Sequence, residues 1–424
     1  MNKILRVVKD KYVIITPLFL IIFIAQFEQY SQLTSSGTFG SALRLSIPIL
    51  LAGLGGLFSE RTGVVNIGLE GMMIMGTWFG AWGGYMYGPW GGVLFGLIGG
   101  GLFGLIHAIA TVSFQVDHIV SGVAINILAV GAARFFNILA FDGIAFASST
   151  ASPRVEGEIG KFNFPYLSGG NIGDNETTSL FANIENADIF LVSDIAALLL
   201  GFSSNISYFT ILALLIVPLS VFVLWRTPIG LQMRSVGEYP SGSESLGVNV
   251  YLMKYIGVII SGCLAGLAGA YLVLEGPNVY LQGQTNGRGF IGLASLLFGN
   301  YRPFGVLMGA GLFGFADALQ LRSEDAIQGL LIVVGAFLIM LTLKNISNKN
   351  ITSSIGTGLT GLLFIFWFTS STPVPIQFVY FTPHLTTLVV LSFSKQKFRM
   401  PKKVGVPYKN CLLYTSPSPR DEQS

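Results

Sequence analysis

The few residues of this chain that could do chemistry lie inside long apolar runs. The densest group is Ser59-Glu-Arg-Thr-Gly-Val-Val-Asn-Ile-Gly-Leu-Glu-Gly-Met72. Asn66 and Glu70 are four residues apart, a spacing that puts two side chains on one face of a helix. That face would line a polar pathway, with Glu70 accepting hydrogen bonds from a sugar hydroxyl or a base. The plainer alternative is that both side chains satisfy neighbouring helices. Asn126, Arg134 and Asn137 add polar groups to one apolar run, and Arg288 opens a short one. Arg288 would either meet an arriving substrate or snorkel toward the interface. Glu60 and Arg61 read as a local ion pair at a span end, and His107 and Asp317 as interfacial polar residues near helix ends.

No catalytic constellation accompanies them. Two cysteines, Cys263 and Cys411, allow neither a disulfide framework nor a cysteine metal site, and three scattered histidines do not make a histidine one. Gly99-Gly-Gly-Leu-Phe-Gly104 matches G-x-G-x-x-G but lies mid-run rather than after a strand, so it reads as helix packing. Gly160-Lys161 is followed by Phe162 and lacks the rest of a Walker A loop. Any ATP used must be hydrolysed on another chain.

The elements that must position these residues follow from composition. The chain has 424 residues, 52% hydrophobic and 11% charged, with a mean hydropathy of +0.66. Soluble domains carry roughly a quarter charged residues; this chain cannot cover a globular surface in water. A net charge of +3 excludes a strongly basic nucleic-acid binder. The expected class is an all-α polytopic membrane protein.

Crossing ~30 Å of hydrocarbon takes about 20 helical residues. Runs near that length lie at 12–30, 41–57, 64–87, 90–114, 118–141, 206–225, 254–275, 303–320, 326–344, 354–371 and 376–394. A shorter one, 287–300, reads as a tilted span or a half-helix buried among neighbours. The expected total is ten to twelve spans. The first run lacks a small-residue cleavage site and reads as an uncleaved anchor. Lys3, Arg6, Lys9 and Lys11 place the N-terminus in the cytoplasm, and Lys395, Lys397, Arg399, Lys402, Lys403 and Lys409 do the same for the C-terminus. The acid-rich segment 142–205 then faces outward and the loop 226–253 inward.

Gly101-Leu-Phe-Gly-Leu-Ile-His-Ala108 echoes Gly311-Leu-Phe-Gly-Phe-Ala-Asp-Ala318 in a run of opposite direction. An inverted internal repeat is therefore expected, as in transporters whose pathway lies between two halves. Gly92, Gly96, Gly100 and Gly104 share one helical face, as do Gly262, Gly266 and Ala270. Such stripes permit close backbone approach to a neighbour. In the loop 226–253, Pro240 suits a helix start and 241–247 can form two short turns ended by Gly247.

Several separated blocks resemble one family. Gly63-Val-Val-Asn-Ile-Gly-Leu-Glu-Gly-Met72, Gly230-Leu-Gln-Met-Arg-Ser-Val-Gly-Glu238, Gly287-Arg-Gly-Phe-Ile-Gly-Leu-Ala294, Arg302-Pro-Phe-Gly-Val-Leu307 and Gly405-Val-Pro-Tyr408 occur in order. They are similar to the permease subunits of bacterial ABC importers for nucleosides, a branch of the ribose and branched-chain amino acid permease superfamily. The resemblance implies a permease of the plasma membrane, over residues 1–410, that imports nucleosides and carries no cofactor of its own. Its implied partners are a cytoplasmic ABC ATPase that binds the ATP, a second permease, an extracytoplasmic substrate-binding lipoprotein and membrane lipid. Asn66, Glu70, Asn126 and Arg288 become the expected substrate pathway. Residues 238–250 become the coupling loop, with Glu238, Tyr239, Pro240, Ser241, Gly242, Ser243, Glu244 and Gly247 against the ATPase. The family's alanine pair stands here as Gly242-Ser243, which weakens the helix locally.

A ribose-type sugar or a branched-chain amino acid is the alternative cargo. An ion-coupled transporter using Glu70, Asp317 and Arg134 as a relay is the alternative machine. Residues 411–424 resemble neither the family nor a cytoplasmic tail and read as foreign or disordered.

Overall fold

The computed structural model describes residues 20–370, apart from 27, 146, 173–174, 188, 323 and 348–349, together with 399–409. The expected span 376–394, the tail 411–424 and most of the run 12–30 lie outside the described residues. The helices are α1 (Ser36–Arg61), α2 (Leu69–Ala108), α3 (His118–Phe141), α4 (Leu180–Glu185), α5 (Val192–Ser203), α6 (Tyr208–Arg226) and α7 (Pro228–Glu238), followed by α8 (Pro240–Ser245), α9 (Val250–Leu274), α10 (Arg288–Phe298), α11 (Pro303–Arg322), α12 (Glu324–Ser347) and α13 (Ile351–Ser370). Strand is confined, among the described residues, to two-residue pieces such as the antiparallel pair Asn171–Ile172 and Asn175–Glu176. Seven helices among the described residues are long and apolar enough to cross a membrane. The protein is an all-α polytopic membrane protein.

Contacts divide the chain into two compact units. One holds residues 1–46, 161–206 and 312–389; the other holds 47–160, 207–311 and 390–424.

The second unit is built on α2, α9 and the inner part of α1. Helix α2 is broken at Gly88, which has φ 78° and is followed by Pro89. Glycine accepts that left-handed backbone and proline donates no hydrogen bond, so the helix stops and restarts. Its arms fold back on each other: a Cβ at Gly92 would lie 2.5 Å from the carbonyl oxygen of Gly80. The expected runs 64–87 and 90–114 are thus the two arms of one hairpin. The hairpin packs on α9 through the two glycine stripes seen in the sequence. A Cβ at Gly100 would lie 2.3 Å from Gly262 O, and one at Gly266 would lie 2.2 Å from Gly96 O. In lipid there is little hydrophobic drive between helices, so this backbone-to-backbone approach supplies the attraction.

Around this centre, Ile47, Leu50, Leu51, Leu54 and Leu57 of α1 are fully buried. Helix α3 buries Ile125, Ala129, Ala133, Asn137 and Phe141, a residue every fourth position, and exposes Ile127, Phe135 and Leu139. One stripe in and one stripe out is what a helix between protein and lipid requires. Helix α10 has eleven residues, too few at ~1.5 Å each to cross the hydrocarbon. It is a half-helix pressed on α1, where a Cβ at Gly53 would meet Ser295 Oγ at 2.5 Å.

The first unit, described at 20–46, 161–206 and 312–370, has a core of Ile24, Ala25, Leu33, Leu319 and Val333. Its α5 crosses α1 at Gly201, whose Cβ would lie 2.8 Å from Gly40 N. Two acids of the expected outer segment act as caps there rather than as surface charges. Glu185 Oε1 accepts the Ser36 N–H at 3.0 Å at the start of α1, and Asp194 accepts the Leu191 N–H at 3.2 Å at the start of α5. An anion at a helix N-terminus satisfies free N–H groups and meets the positive end of the dipole.

Candidate functional site

Asn66, Asn126 and His107 gather at the turn 62–68 between α1 and α2, and Glu70 follows it directly. Asn66 lies in that turn, before α2 begins at Leu69. It therefore does not share a helical face with Glu70, contrary to the expectation from their spacing: Gly63, with φ 86°, and the non-helical residues after it interrupt the helix. Asn66 is fully buried. Its Nδ2 donates to Ser261 Oγ at 2.8 Å, and its Oδ1 has no hydrogen-bond partner.

The turn's backbone is satisfied from outside. Val65 C=O accepts from His107 Nε2 at 3.2 Å, and Val65 N–H donates to His118 Nδ1 at 3.2 Å. A carbonyl only accepts, so the proton of His107 is assigned to Nε2, which leaves Nδ1 to accept from Ser121 Oγ at 2.8 Å. His107, in the last turn of α2, is fully buried and brackets this turn. Asn126 of α3 holds the start of α2: its Oδ1 accepts the Gly71 N–H at 2.7 Å and its Nδ2 donates to Ile67 O at 3.1 Å. The preceding Gly68 has no side chain with which to cap the helix, so a neighbouring helix does it.

Glu70 performs the same service for α10. That helix begins after Gly287, in the left-handed region at φ 75°, with no side-chain cap of its own. Glu70 Oε1 accepts from Thr285 Oγ1 at 2.6 Å and Gly287 N–H at 3.0 Å, and Oε2 accepts the Gly289 N–H at 2.7 Å. A carboxylate holding two free N–H groups of a half-helix is a charge-assisted cap. Arg288 lies between the two bound amides, half-buried, and its Nη1 donates to Gln284 O at 3.4 Å. The loop that carries it is pinned at its other end, where Gln282 N–H donates to Thr150 O at 2.8 Å and Val155 N–H to Asn278 O at 2.8 Å. Asn137 fastens the same segment by donating to Ser148 O and Ala151 O, whereas Arg134 is exposed on α3.

The second cluster is the segment 227–251. Thr227 caps α7 and Pro228 opens it; Pro240 opens α8, and Gly247 follows at φ 83°. Helix α7 was not expected from the sequence. A Cβ at Gly237 would lie 2.4 Å from Arg61 O, so α7 lies hard against the end of α1. Gly242 sits under the Tyr239 ring, which gives the Gly242-Ser243 departure a packing reason. Tyr239 is 63% exposed and Leu246 is 85% exposed, one at each end of α8.

Residues 399–409 bind across this cluster as a strap. Lys403 N–H donates to Gly237 O at 3.0 Å and Gly405 N–H to Gly63 O at 3.1 Å. Tyr408 donates its hydroxyl to the Glu244 carboxylate, and its ring packs 5.9 Å from that of Tyr251. Beside the strap, Tyr301 donates to Glu60 Oε2 at 2.8 Å, and burial raises its hydroxyl pKa so that it remains a donor. Glu60 is paired with that hydroxyl, and Arg61 donates to Tyr301 O at 2.7 Å.

Residues 38–341 match the family described as branched-chain amino acid transport system / permease component. The chain belongs to this family. The permease is 38% identical over 289 residues to the guanosine ABC transporter permease protein NupQ of Bacillus subtilis, covering 66% of this chain and 81% of the relative. It is 29% identical over 372 residues to the nucleoside ABC transporter permease protein NupC of Lactococcus lactis, covering 86% and 93%. It is also 34% identical over 296 residues to the putative glucose ABC transporter permease protein TsgC13 of Haloferax volcanii, covering 69% and 79%. No solved structure matches the chain.

In this permease Asn66, Glu70 and Asn126 come together around one turn, and Arg288 stands beside the carboxylate that organises its helix. Thr285, Ser261, His107, His118 and Leu246 complete these clusters and were not among the expected site residues. Leu246 carried a signal, being the one apolar residue between Pro240 and Gly247. The others did not, because their partners lie far away in sequence.

Proposed function

We propose that this permease is the membrane subunit of an ATP-binding-cassette importer carrying nucleosides into a bacterial cytoplasm. The observation that carries the coupling role is α8, a short helix flanked by the exposed Tyr239 and Leu246 and held to the chain by the strap. Two exposed apolar side chains on a polar turn are unfavourable in water and suit a docking partner. The partner is a cytoplasmic ATPase that binds the ATP; this chain does no covalent chemistry. Both termini and 226–253 face the cytoplasm, 142–205 faces outward toward a substrate-binding lipoprotein, and a second permease, identical or related, completes the pathway.

Within the pathway, Asn66, Glu70 and Asn126 are assigned to shaping, since their bonds are made within the chain. Arg288 is assigned to meeting the cargo. Contacts there need be only weak, because tight binding would trap the substrate. The nucleoside cargo rests on the guanosine and nucleoside relatives.

The test is uptake of labelled guanosine and uridine into proteoliposomes holding the permease, its ATPase and its binding protein. ATP-dependent uptake insensitive to proton and sodium gradients is expected. Gradient-driven uptake without the ATPase would overturn the proposal. The 34% relative named for glucose favours a sugar as the second reading. Competition by free glucose or ribose, but not by uridine, would select it.

A further inference from the structure

We propose that the permease holds an anionic phospholipid in a cavity between the end of α6, the start of α11 and the strap. The cavity encloses about 940 Å³ and is lined by Arg61, Arg302, Arg399 and Lys402 against a single carboxylate, Glu238. The side chains of Arg302, Arg399 and Lys402 are exposed and form no ion pair among the described residues. Arg61 is 8% exposed and its Nε has no hydrogen-bond partner. Its guanidinium lies 5.5 Å from the Trp225 ring, which carries Arg234 at 5.8 Å as well. Two guanidiniums on one indole concentrate positive charge at one wall. The ligand's head is therefore an anion.

The remaining walls say that it also has tails. Val221 and Trp225 on α6, and Phe304 and Met308 on α11, each stand one helical turn apart and line the cavity with apolar surface. Phe304 is 58% exposed and Met308 67% exposed, both on α11, a helix long and apolar enough to cross a membrane. The apolar side of the cavity thus opens toward the hydrocarbon, while Arg61 and Arg302 sit at helix ends and Arg399 and Lys402 on the strap. A free phosphate or nucleotide has no use for that opening. A zwitterionic lipid would bring its ammonium group against the excess of cations. A phosphodiester head bearing net negative charge with two acyl chains fits both walls, as basic pockets between membrane helices do elsewhere. The strap supplies Arg399, Met400 and Lys402; bound lipid would therefore steady the segment that holds Glu244.

The test uses the purified full chain, exchanged from detergent with phosphatidylglycerol or phosphatidylcholine and read by native mass spectrometry. Wild type is expected to retain phosphatidylglycerol selectively. The variant R302Q/R399Q/K402Q is expected to lose about a hundredfold of that retention, from three charges near the headgroup. The charge-matched control R226Q/K344Q/K409Q, whose residues lie outside the cavity lining, keeps it. M308E, which leaves every cation in place but charges the apolar wall, also loses it. Equal retention by wild type and the triple cavity variant overturns the proposal. So does displacement of the lipid by millimolar inorganic phosphate with M308E behaving as wild type, which would mark a phosphate site. These readouts do not involve nucleoside or ATP, so failure of the transport proposal leaves them interpretable.

Discussion

Glu70 caps helix α10 at Gly289, whose backbone N–H reaches Glu70 Oε2 at 2.7 Å across 219 positions of sequence. The same carboxylate takes Thr285 and Gly287 on its other oxygen. A Cβ at Gly289 would lie 2.6 Å from the Glu70 Cα, so only glycine permits the approach.

Removing the carboxylate leaves three donors unpaired, those of Thr285 and Gly289 buried and that of Gly287 partly so. Glu70→Ala is expected to lower stability by about 2–3 kcal/mol, the cost of stranding donors that served a charged acceptor. Glu70→Gln keeps one acceptor oxygen but turns its amide N–H₂ toward a donor, so it falls between Ala and wild type. Thermal melts in detergent check the order, and an unchanged melting temperature for both variants would refute the cap.

Gly287 begins α10 at φ 75°. Gly287→Ala is expected to cost about 1–2 kcal/mol from the left-handed backbone alone. Gly287→Asn should cost less, since asparagine tolerates that region. The comparison of the two melts isolates backbone strain, because nothing lies within 4 Å of a Cβ there.

Gly266 and Gly131 give a matched test of helix approach. A Cβ at Gly266 would lie 2.2 Å from Gly96 O, whereas none of the surroundings of Gly131 comes within 4 Å. Gly266→Ala must push α9 off the hairpin and is expected to cost upward of about 3 kcal/mol, above the usual overpacking range. Gly131→Ala should be neutral or slightly stabilising, by up to about 1 kcal/mol of helix propensity. Monodispersity and melting of the two purified variants decide it.

Tyr408 ties the strap to Glu244 beside α8. Tyr408→Phe keeps the ring on Tyr251 and removes only the donor. Nucleoside uptake per ATP hydrolysed is expected to fall by about tenfold or more, the worth of one hydrogen bond to a charged group. Melting and ATPase co-purification should be nearly unchanged; unchanged uptake would show that the strap does not steady the coupling helix.

Exposed apolar groups that dock a partner lose that burial when truncated. Leu246→Ala is expected to weaken ATPase binding by about 1.5–3 kcal/mol, the burial of one leucine. Pull-down of the ATPase against tagged permease measures it, with Leu231→Ala, an exposed residue of α7, as the comparison.

Much of this was legible in one dimension. Hydropathy named the class and placed most described helices, because apolar length is a local property. Glycine spacing marked a face of α2 and a face of α9 that would approach some neighbour, though not that they would meet each other, and Pro240 with Gly247 bounded α8. The blocks around Glu70, Gly287 and Tyr408 pointed to the family. The break at Gly88 was legible too, as a boundary between two runs, though not that the arms would fold onto each other.

What the sequence could not supply was the partner of each polar side chain. Asn66 and Glu70 look like one helical pair at a spacing of four; a left-handed Gly63 and the non-helical turn after it put them in different roles. His107 and His118 look scattered, yet both satisfy Val65. Glu185 and Asp194 read in the sequence only as acids of the segment 142–205, and in the structure they are caps. The sequence alone determined that the chain lives in a membrane and where most of its long apolar helices lie, since that depends on local composition. Only the tertiary structure decided which buried donor meets which acceptor, because a hydrogen bond is fixed by distances of about 3 Å between groups that the chain separates by tens to hundreds of residues.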